Sequence, residues 1–117
     1  MTYIQGCLSP VPQGRREDYI RYARLAADWL KAEGALHVME AWGADVPDGE
    51  TNSMNTAVMR KDDEVVVLSW IVWPDAATSN AAMEKMMNEP LFASATNPMP
   101  FDGKRMIYGG FEPIVEA

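Results

Sequence analysis

The chain is poor in the residues that most often build metal and disulfide sites. Its 117 residues include one cysteine, Cys7, and one histidine, His37. A single cysteine excludes an intrachain disulfide and a multi-cysteine zinc site, and a single histidine excludes a two-histidine metal site within one chain. No glycine-rich phosphate loop or nucleophile elbow is present. We therefore expect no metal and no cofactor, and a reducing cytoplasmic location.

Positive charge and long apolar runs are also scarce. Lys and Arg total 10 against 17 Asp and Glu, which gives a formal net charge of −7. Such a balance argues against binding a nucleic-acid backbone or an anionic lipid surface. The longest nearly apolar run, residues 65–73, is far shorter than the roughly 20 residues of a membrane helix. We therefore expect neither nucleic acid nor membrane as a partner.

What remains is an ordinary globular composition in a chain of single-domain length. Hydrophobic residues make up 48% and charged residues 23% of the sequence. A chain of this size buries enough surface for one core. The sequence therefore predicts a single domain over residues 1–117.

The hydrophobic periodicity alternates between strands and helices. It predicts strands at 3–11, 36–42, 64–73 and 104–112, and helices at 15–33 and from Asp75 to about residue 88. Residues 56–60 are expected to be extended, and Gly34 should end the first helix. The order βαββαβ predicts an α+β, ferredoxin-like fold, with a four-stranded antiparallel sheet and two helices on one face.

Strand alternation divides the sheet residues into two sets. One set is mostly apolar and is expected to face the helices: Ile4, Gly6, Leu8, His37, Met39, Ala41, Val66, Leu68, Trp70, Val72, Ile107, Gly109 and Phe111. The other set mixes aromatic and polar residues and is expected on the opposite face: Tyr3, Gln5, Cys7, Ser9, Val38, Glu40, Trp42, Val67, Ser69, Ile71, Trp73, Met106, Tyr108, Gly110 and Glu112. Such a mixture suits the wall of an enclosed cavity. We therefore expect a homodimer whose sheets enclose that cavity.

Three segments resemble the YbaA-like family of bacterial proteins of unknown function. They are residues 42–49 (WGADVPDG), residues 69–71 with 73–74 (SWI and WP) and residues 99–112 (MPFDGKRMIYGGFE). The resemblance extends over essentially the whole chain. It implies a ferredoxin-like subunit of the dimeric α/β-barrel superfamily, in which two subunits form one barrel. That superfamily includes enzymes and ligand-binding proteins, so membership does not define a reaction.

Glu40 is the first candidate for a catalytic residue. Between Val38 and Trp42 on an enclosed face, its carboxyl group should have a raised pKa and could serve as a general base or acid. The alternative is a structural ion pair with Arg105 or Lys104 at the rim of the barrel.

Five candidate ligand-binding residues share the predicted face of Glu40: Tyr3, Trp42, Ser69, Trp73 and Tyr108. The sixth candidate, Arg105, is expected at the rim of the barrel. The aromatic rings could stack on a flat ligand or pack at a dimer interface. Ser69 could donate to a ligand or be satisfied locally. Arg105 could bind an anion or a carboxylate of the partner subunit. Cys7 and His37 are more simply structural.

Three functions stay open from the sequence. The first is an enzyme that transforms a small apolar or aromatic molecule in the barrel cavity. The second is a non-catalytic ligand-binding or stress-associated protein that uses the same cavity. The third is an interaction module whose aromatic sheet face serves only dimerisation.

Overall fold

The fold is described by a computed structural model that covers residues 1–117. The helices and strands are β1 (Tyr3–Pro12), α1 (Arg16–Ala32), β2 (His37–Trp42), α2 (Met54–Ala57), β3 (Glu64–Trp73), α3 (Ala76–Met86) and β4 (Ile107–Phe111). The four strands form one antiparallel sheet in the order β2-β3-β1-β4. The predicted α+β fold with a four-stranded antiparallel sheet is therefore confirmed, and α2 adds a single helical turn.

Local signals explain where the two long helices begin and end. Glu17 and Asp18 lie in the first turn of α1, where the positive end of the helix dipole favours acidic side chains. Gly34 follows α1 with a φ of +113°, a conformation that L side chains rarely adopt. Asp75 caps α3, because its side chain accepts a hydrogen bond from the backbone N–H of Thr78 at 2.7 Å.

Three local predictions were wrong. Residues 54–57 form the helical turn α2 rather than extended chain, because Ser53 and Thr56 form a capping box. The last strand begins at Ile107 rather than at residue 104, because residues 103–105 form a 3-10 turn capped by Asp102. The second long helix ends at Met86 rather than near residue 88, and Met87 beyond its end is 85% exposed.

Both long helices pack on one side of the sheet and bury two apolar clusters there. The first cluster contains Val11, Tyr19, Ala23 and Val67, and the second contains Leu30, Ala35, Trp73 and Ala82. Tyr3, Val38 and Ile71 pack against the second cluster. Val67 and Trp73 belong to the mixed aromatic and polar set, and Val11 continues its alternation along β1. The mixed set therefore faces the helices.

The predicted assignment of the two sheet faces was consequently reversed. The mostly apolar set lies on the face that neither α1 nor α3 covers, which we call the open face. Trp70, expected beneath the helices, lies on the open face beside His37, with ring centroids 6.4 Å apart. Trp73 instead lies beneath the helices and has no exposed surface.

All four strands contribute apolar side chains to the open face. Met39, Leu68, Ile107 and Phe111 are all exposed there, and Leu68 is 38% exposed at its centre. A shallow groove of about 370 Å³ runs between β3, β1 and β4 on this side, and Met54 of α2 lines it. Monomeric proteins rarely leave so large an apolar patch in water.

Candidate functional site

The carboxyl group of Glu40 lies between β2 and α1 and accepts two short hydrogen bonds. The hydroxyl of Tyr19 donates to Oε1 at 2.5 Å, and the hydroxyl of Ser69 donates to the same oxygen at 2.6 Å. Ser69 is directly opposite Glu40 in the β2–β3 register, and Tyr19 projects from the first turns of α1. No side chain or backbone group of the protein donates to Oε2 of Glu40. One oxygen is thus fixed and the other is free to meet a ligand.

Glu40 lines a half-open cavity of about 400 Å³ between α1 and β2, which we call the α1–β2 pocket. Seven of its ten lining residues are hydrophobic. The complete lining is Arg16, Tyr19, Ile20, Ala23, Arg24, Ala27, Val38, Glu40, Trp42 and Val67. A cavity of this size with apolar walls and a few polar groups is typical of small-molecule sites.

The surroundings favour the neutral form of each ionisable group in this cluster. Burial raises the pKa of the Glu40 carboxyl group, although the hydrogen bonds from Ser69 and Tyr19 lower it in part. Burial and the nearby Glu40 charge raise the pKa of the Tyr19 hydroxyl. Burial also raises the pKa of the Cys7 thiol, so the thiolate form is disfavoured.

Glu40 nevertheless keeps a route to solvent. Strand β2 is an edge strand, and the residue as a whole is exposed even though Oε1 is held beneath α1. The carboxyl group therefore combines a partly desolvated position with access from the pocket. This combination is what a general acid or base requires.

Two arginines line the α1–β2 pocket at opposite ends of its helical wall. Arg16 lies over the ring of Trp42, 5.6 Å from its centroid. Arg24 is exposed and forms no hydrogen bond or ion pair with the rest of the chain. A pocket that contains a carboxyl group is thus flanked by two cations.

Of the predicted ligand-binding residues, the structure brings Trp42 and Ser69 to Glu40. Trp42 lines the pocket and packs against Tyr19, with ring centroids 6.4 Å apart. Ser69 is 4% exposed and contacts the carboxyl group directly. These residues lie on the helix side of the sheet, so the expectation that they point into a cavity between two sheets is wrong.

Trp73 and Tyr3 lie away from Glu40 in the core. The indole N–H of Trp73 donates to Oε1 of Gln5 at 2.7 Å, and the ring belongs to the second apolar cluster. Tyr3 packs against that cluster and covers Gly110, where a Cβ atom would collide with the tyrosine ring. Neither side chain lines the α1–β2 pocket.

Tyr108 also lies outside the Glu40 site. It is 78% exposed on the edge strand β4, opposite Cys7 in the β1–β4 register. The expectation that Tyr108 lies beside Glu40 is therefore wrong.

Arg105 forms a structural ion pair with Glu64 instead of with Glu40. Its two terminal nitrogens donate to the two carboxylate oxygens of Glu64 at 2.7 and 2.6 Å. It also donates to Asp102 at 2.8 Å and to the carbonyl of Met59 at 2.9 Å. These contacts connect the segment before β4 to the start of β3, so the alternative pairing of Glu40 with Arg105 is wrong.

Three polar residues of the pocket were not predicted from the sequence: Arg16, Tyr19 and Arg24. Tyr19 is 6% exposed, and a buried tyrosine hydroxyl needs a hydrogen-bond partner, which is the signal that could have identified it. Arg16 and Arg24 were not singled out, because their relation to Glu40 depends on how α1 packs against β2. No group of three or more His, Cys, Asp or Glu side chains could hold a metal ion.

The fold defines the structural class of the protein. A crystal structure described as a dimeric ferredoxin-like protein, from an uncultured marine organism, superposes with a TM-score of 0.62. It is 10% identical in sequence, and the match covers 99% of this chain and 98% of that one. The chain is therefore an α+β protein with a ferredoxin-like fold.

Sequence comparison places the chain in a family. The model of the protein family of unknown function DUF1428 matches residues 2–103. The uncharacterised protein YbaA of Escherichia coli strain K12 is 43% identical over 116 residues, which cover 99% of each chain. YbaA of Shigella flexneri matches with the same identity and coverage. The chain belongs to the DUF1428 family, and the predicted YbaA-like resemblance is confirmed. None of its helices has both the length and the hydropathy needed to cross a membrane.

Proposed function

We propose that the chain binds a small, largely apolar molecule in the α1–β2 pocket and that Glu40 exchanges a proton with it. The observation that carries the proposal is the asymmetry of the carboxyl group. Oε1 accepts hydrogen bonds from Tyr19 and Ser69, while Oε2 has no protein donor and the residue lines the pocket. A raised pKa brings such a group closer to the pH range where it can both accept and return a proton.

The proton-transfer step balances without a cofactor. The ionised Glu40 takes a proton from an acidic C–H bond of the ligand, and the bond's electron pair moves into an adjacent carbonyl group to form an enolate. The protonated Glu40 then returns a proton to carbon. Tyr19 and Ser69 hold the carboxyl group in place throughout, which lowers the cost of orienting it.

Solvent exchange in D2O tests this step. We expect the protein to accelerate replacement of the acidic C–H protons of 2-tetralone or 1-indanone by deuterium, as followed by ¹H NMR. Glu40→Gln should abolish the acceleration, because an amide cannot accept the proton, whereas its oxygen can still accept from Tyr19 and Ser69. Glu50→Gln removes an exposed carboxylate elsewhere and should leave the rate unchanged. An unaccelerated rate with the wild type, or an unchanged rate with Glu40→Gln, would overturn the proton-transfer part.

The binding part has its own readout. Bound 2-tetralone should shift the backbone amide signals of Ala23, Ala27 and Val38, which line the pocket. Ala27→Phe should weaken these shifts by filling the cavity, whereas Ala32→Phe, at the exposed end of α1, should not. Shifts confined to open-face residues would place the ligand in the predicted inter-sheet cavity and contradict this proposal.

We further propose that the open face pairs with a second copy of the chain to make a homodimer in the cytoplasm. Its apolar surface supports this, as does the structural neighbour that is described as dimeric. The α1–β2 pocket lies on the other side of the sheet, so this dimer would leave it accessible. In this dimer the two open faces would pack directly against each other. Their apolar side chains would then form the interface instead of lining an enclosed cavity.

Light scattering tests the pairing. We expect a particle of twice the 13.0 kDa chain mass. Leu68→Glu should give a monomer, because it places a charge at the centre of the open face. Leu25→Glu is the control: Leu25 is 41% exposed on α1 and should tolerate the charge. A wild-type monomer at micromolar concentration would refute the dimer.

A further inference from the structure

The α1–β2 pocket contains a cation that the folded chain leaves without a partner. Arg24 lines the pocket, and no ion pair in the chain includes it. Asp28 lies one turn further along α1 but does not pair with it. By contrast, Arg15, just before α1, and Arg21, within α1, both pair with Asp18, at 3.2 and 3.1 Å. In a chain with a net charge of −7, an unpaired arginine at a pocket is a free anion-binding group.

The helix geometry places Arg24 where it would orient a ligand across Glu40. Arg16 and Arg24 are eight residues apart, so their Cα atoms are separated by about 12 Å along the helix. Glu40 lies between Val38 and Trp42 on the facing strand, and all three side chains line the pocket. Arg16 already contacts the ring of Trp42 at one end of the pocket, whereas Arg24 makes no ion pair or cation–π contact within the chain.

The walls between these charges are apolar. Ala23 and Ala27 on the helix face Val38 and Val67 on the sheet, and all four line the pocket. Such walls suit a flat hydrocarbon body rather than a sugar or a polyphosphate. Burial raises the pKa of Glu40, which reduces the repulsion between its carboxyl group and an anionic ligand.

Building on the proposed function, we infer that the pocket's ligand is a small apolar molecule with one anionic group, which Arg24 binds while the apolar body extends past Glu40 towards Trp42. A carboxylate and a phosphate monoester both fit the guanidinium group, so the shared chemistry is a single terminal oxyanion. Arg24 would thus select the ligand, whereas Glu40 would act on it.

Matched probes separate the charge from the apolar body. We would titrate 2-naphthoate, 2-naphthyl phosphate and the neutral 2-naphthamide into the ¹⁵N-labelled protein and follow the amide signals of the pocket. We expect both anions to bind more tightly than the amide, and added NaCl to weaken only the anions. Arg24→Gln should weaken anion binding by at least about tenfold, because it removes a charged hydrogen bond, and should leave 2-naphthamide unchanged.

Arg21→Gln is the matched control, because it removes the same charge from the same helix at a residue that does not line the pocket. It should leave all three affinities unchanged. If one anion alone responds to Arg24→Gln, that result identifies the oxyanion and supports the inference. Equal binding of amide and anions, or equal losses in Arg24→Gln and Arg21→Gln, would overturn it while leaving the proposed function intact. If no probe shifts the pocket signals, this inference fails, whereas the proposed function is decided separately by the 2-tetralone experiments.

Discussion

Replacing Trp73 should test the packing on which the site depends. The side chain has no exposed surface, and it packs with Leu30, Ala35 and Ala82 at the meeting point of α1, β3 and α3. Truncating a buried tryptophan to alanine typically costs about 3–5 kcal/mol, because it removes apolar contacts and leaves a cavity. Trp73→Ala also removes the donor to Gln5. For a domain of this size, each kcal/mol lowers the melting temperature by about 4 °C, so we expect a fall of roughly 12–20 °C.

Urea denaturation followed by circular dichroism would measure the cost. The expected loss for Trp73→Ala approaches the total free energy of unfolding of a small domain. Trp73→Phe therefore provides a second, milder variant that should fold. It keeps a ring in the core but leaves Gln5 without its donor, and we expect a loss of about 1–2 kcal/mol.

Trp70 provides the contrast between the two faces of the sheet. Its ring lies on the open face, so in a Leu68→Glu monomer Trp70→Ala should cost less than about 2 kcal/mol. If Trp70→Ala costs several times more than Trp73→Ala in that background, the helices cover the other face and our account of the site is wrong.

Three further outcomes follow from single contacts. Gly110→Ala should lower the free energy of unfolding by about 1–3 kcal/mol, because its Cβ would collide with Tyr3, whereas Gly109→Ala should cost clearly less; equal losses in urea would contradict this. Gly34→Ala should destabilise the protein by more than about 1 kcal/mol, because its φ is +113°, and an unchanged melting temperature would argue against that backbone. Because the folded pKa of Glu40 is raised, the wild type should lose stability relative to Glu40→Gln as the pH rises from the unfolded pKa near 4.5 through the folded pKa; a pH-independent difference would contradict the raised pKa.

Strand positions could be predicted closely, because local sequence determines them. The run from Glu64 to Trp73 is nearly continuous in β-branched and aromatic residues, and β3 has those bounds. The order of elements then limits the sheet to a few topologies, of which the ferredoxin-like one is confirmed. The start of the last strand was predicted less accurately. Asp102 caps a 3-10 turn at residues 103–105, so β4 begins only at Ile107.

Alternation along the strands identified the two sets of sheet residues but not which set the helices cover. We expected the more apolar set in the core, because buried charges are rare. The polar residues on the helix side satisfy one another, with Glu40 accepting from Tyr19 and Ser69. These hydrogen bonds offset most of the free-energy cost of burying the polar groups. They form only when α1 packs against β2, so alternation along the strands could not reveal them.

Glu40 could therefore be identified as a candidate, but its surroundings could not. Its position next to Trp42 and opposite Ser69 follows from strand register. The packing of α1 brings Tyr19 into contact with Glu40 and places Arg24 in the same pocket. Arg105 illustrates the same limit. It pairs with Asp102 in the same turn and with Glu64, which is 41 residues away in the sequence. The contact with Glu64 depends on the tertiary fold and is visible only in the structure.

The proposed function depends on Glu40 being a partly desolvated acid or base in a ligand pocket. Titration of its side-chain carboxyl carbon by ¹³C NMR tests this directly. We predict a pKa above the ordinary glutamate value of 4.5. That pKa should change further when 2-naphthoate occupies the α1–β2 pocket. In the Ala27→Phe variant the same probe should leave the pKa of Glu40 unchanged. A pKa at or below 4.5 that does not respond to the probe would contradict the account.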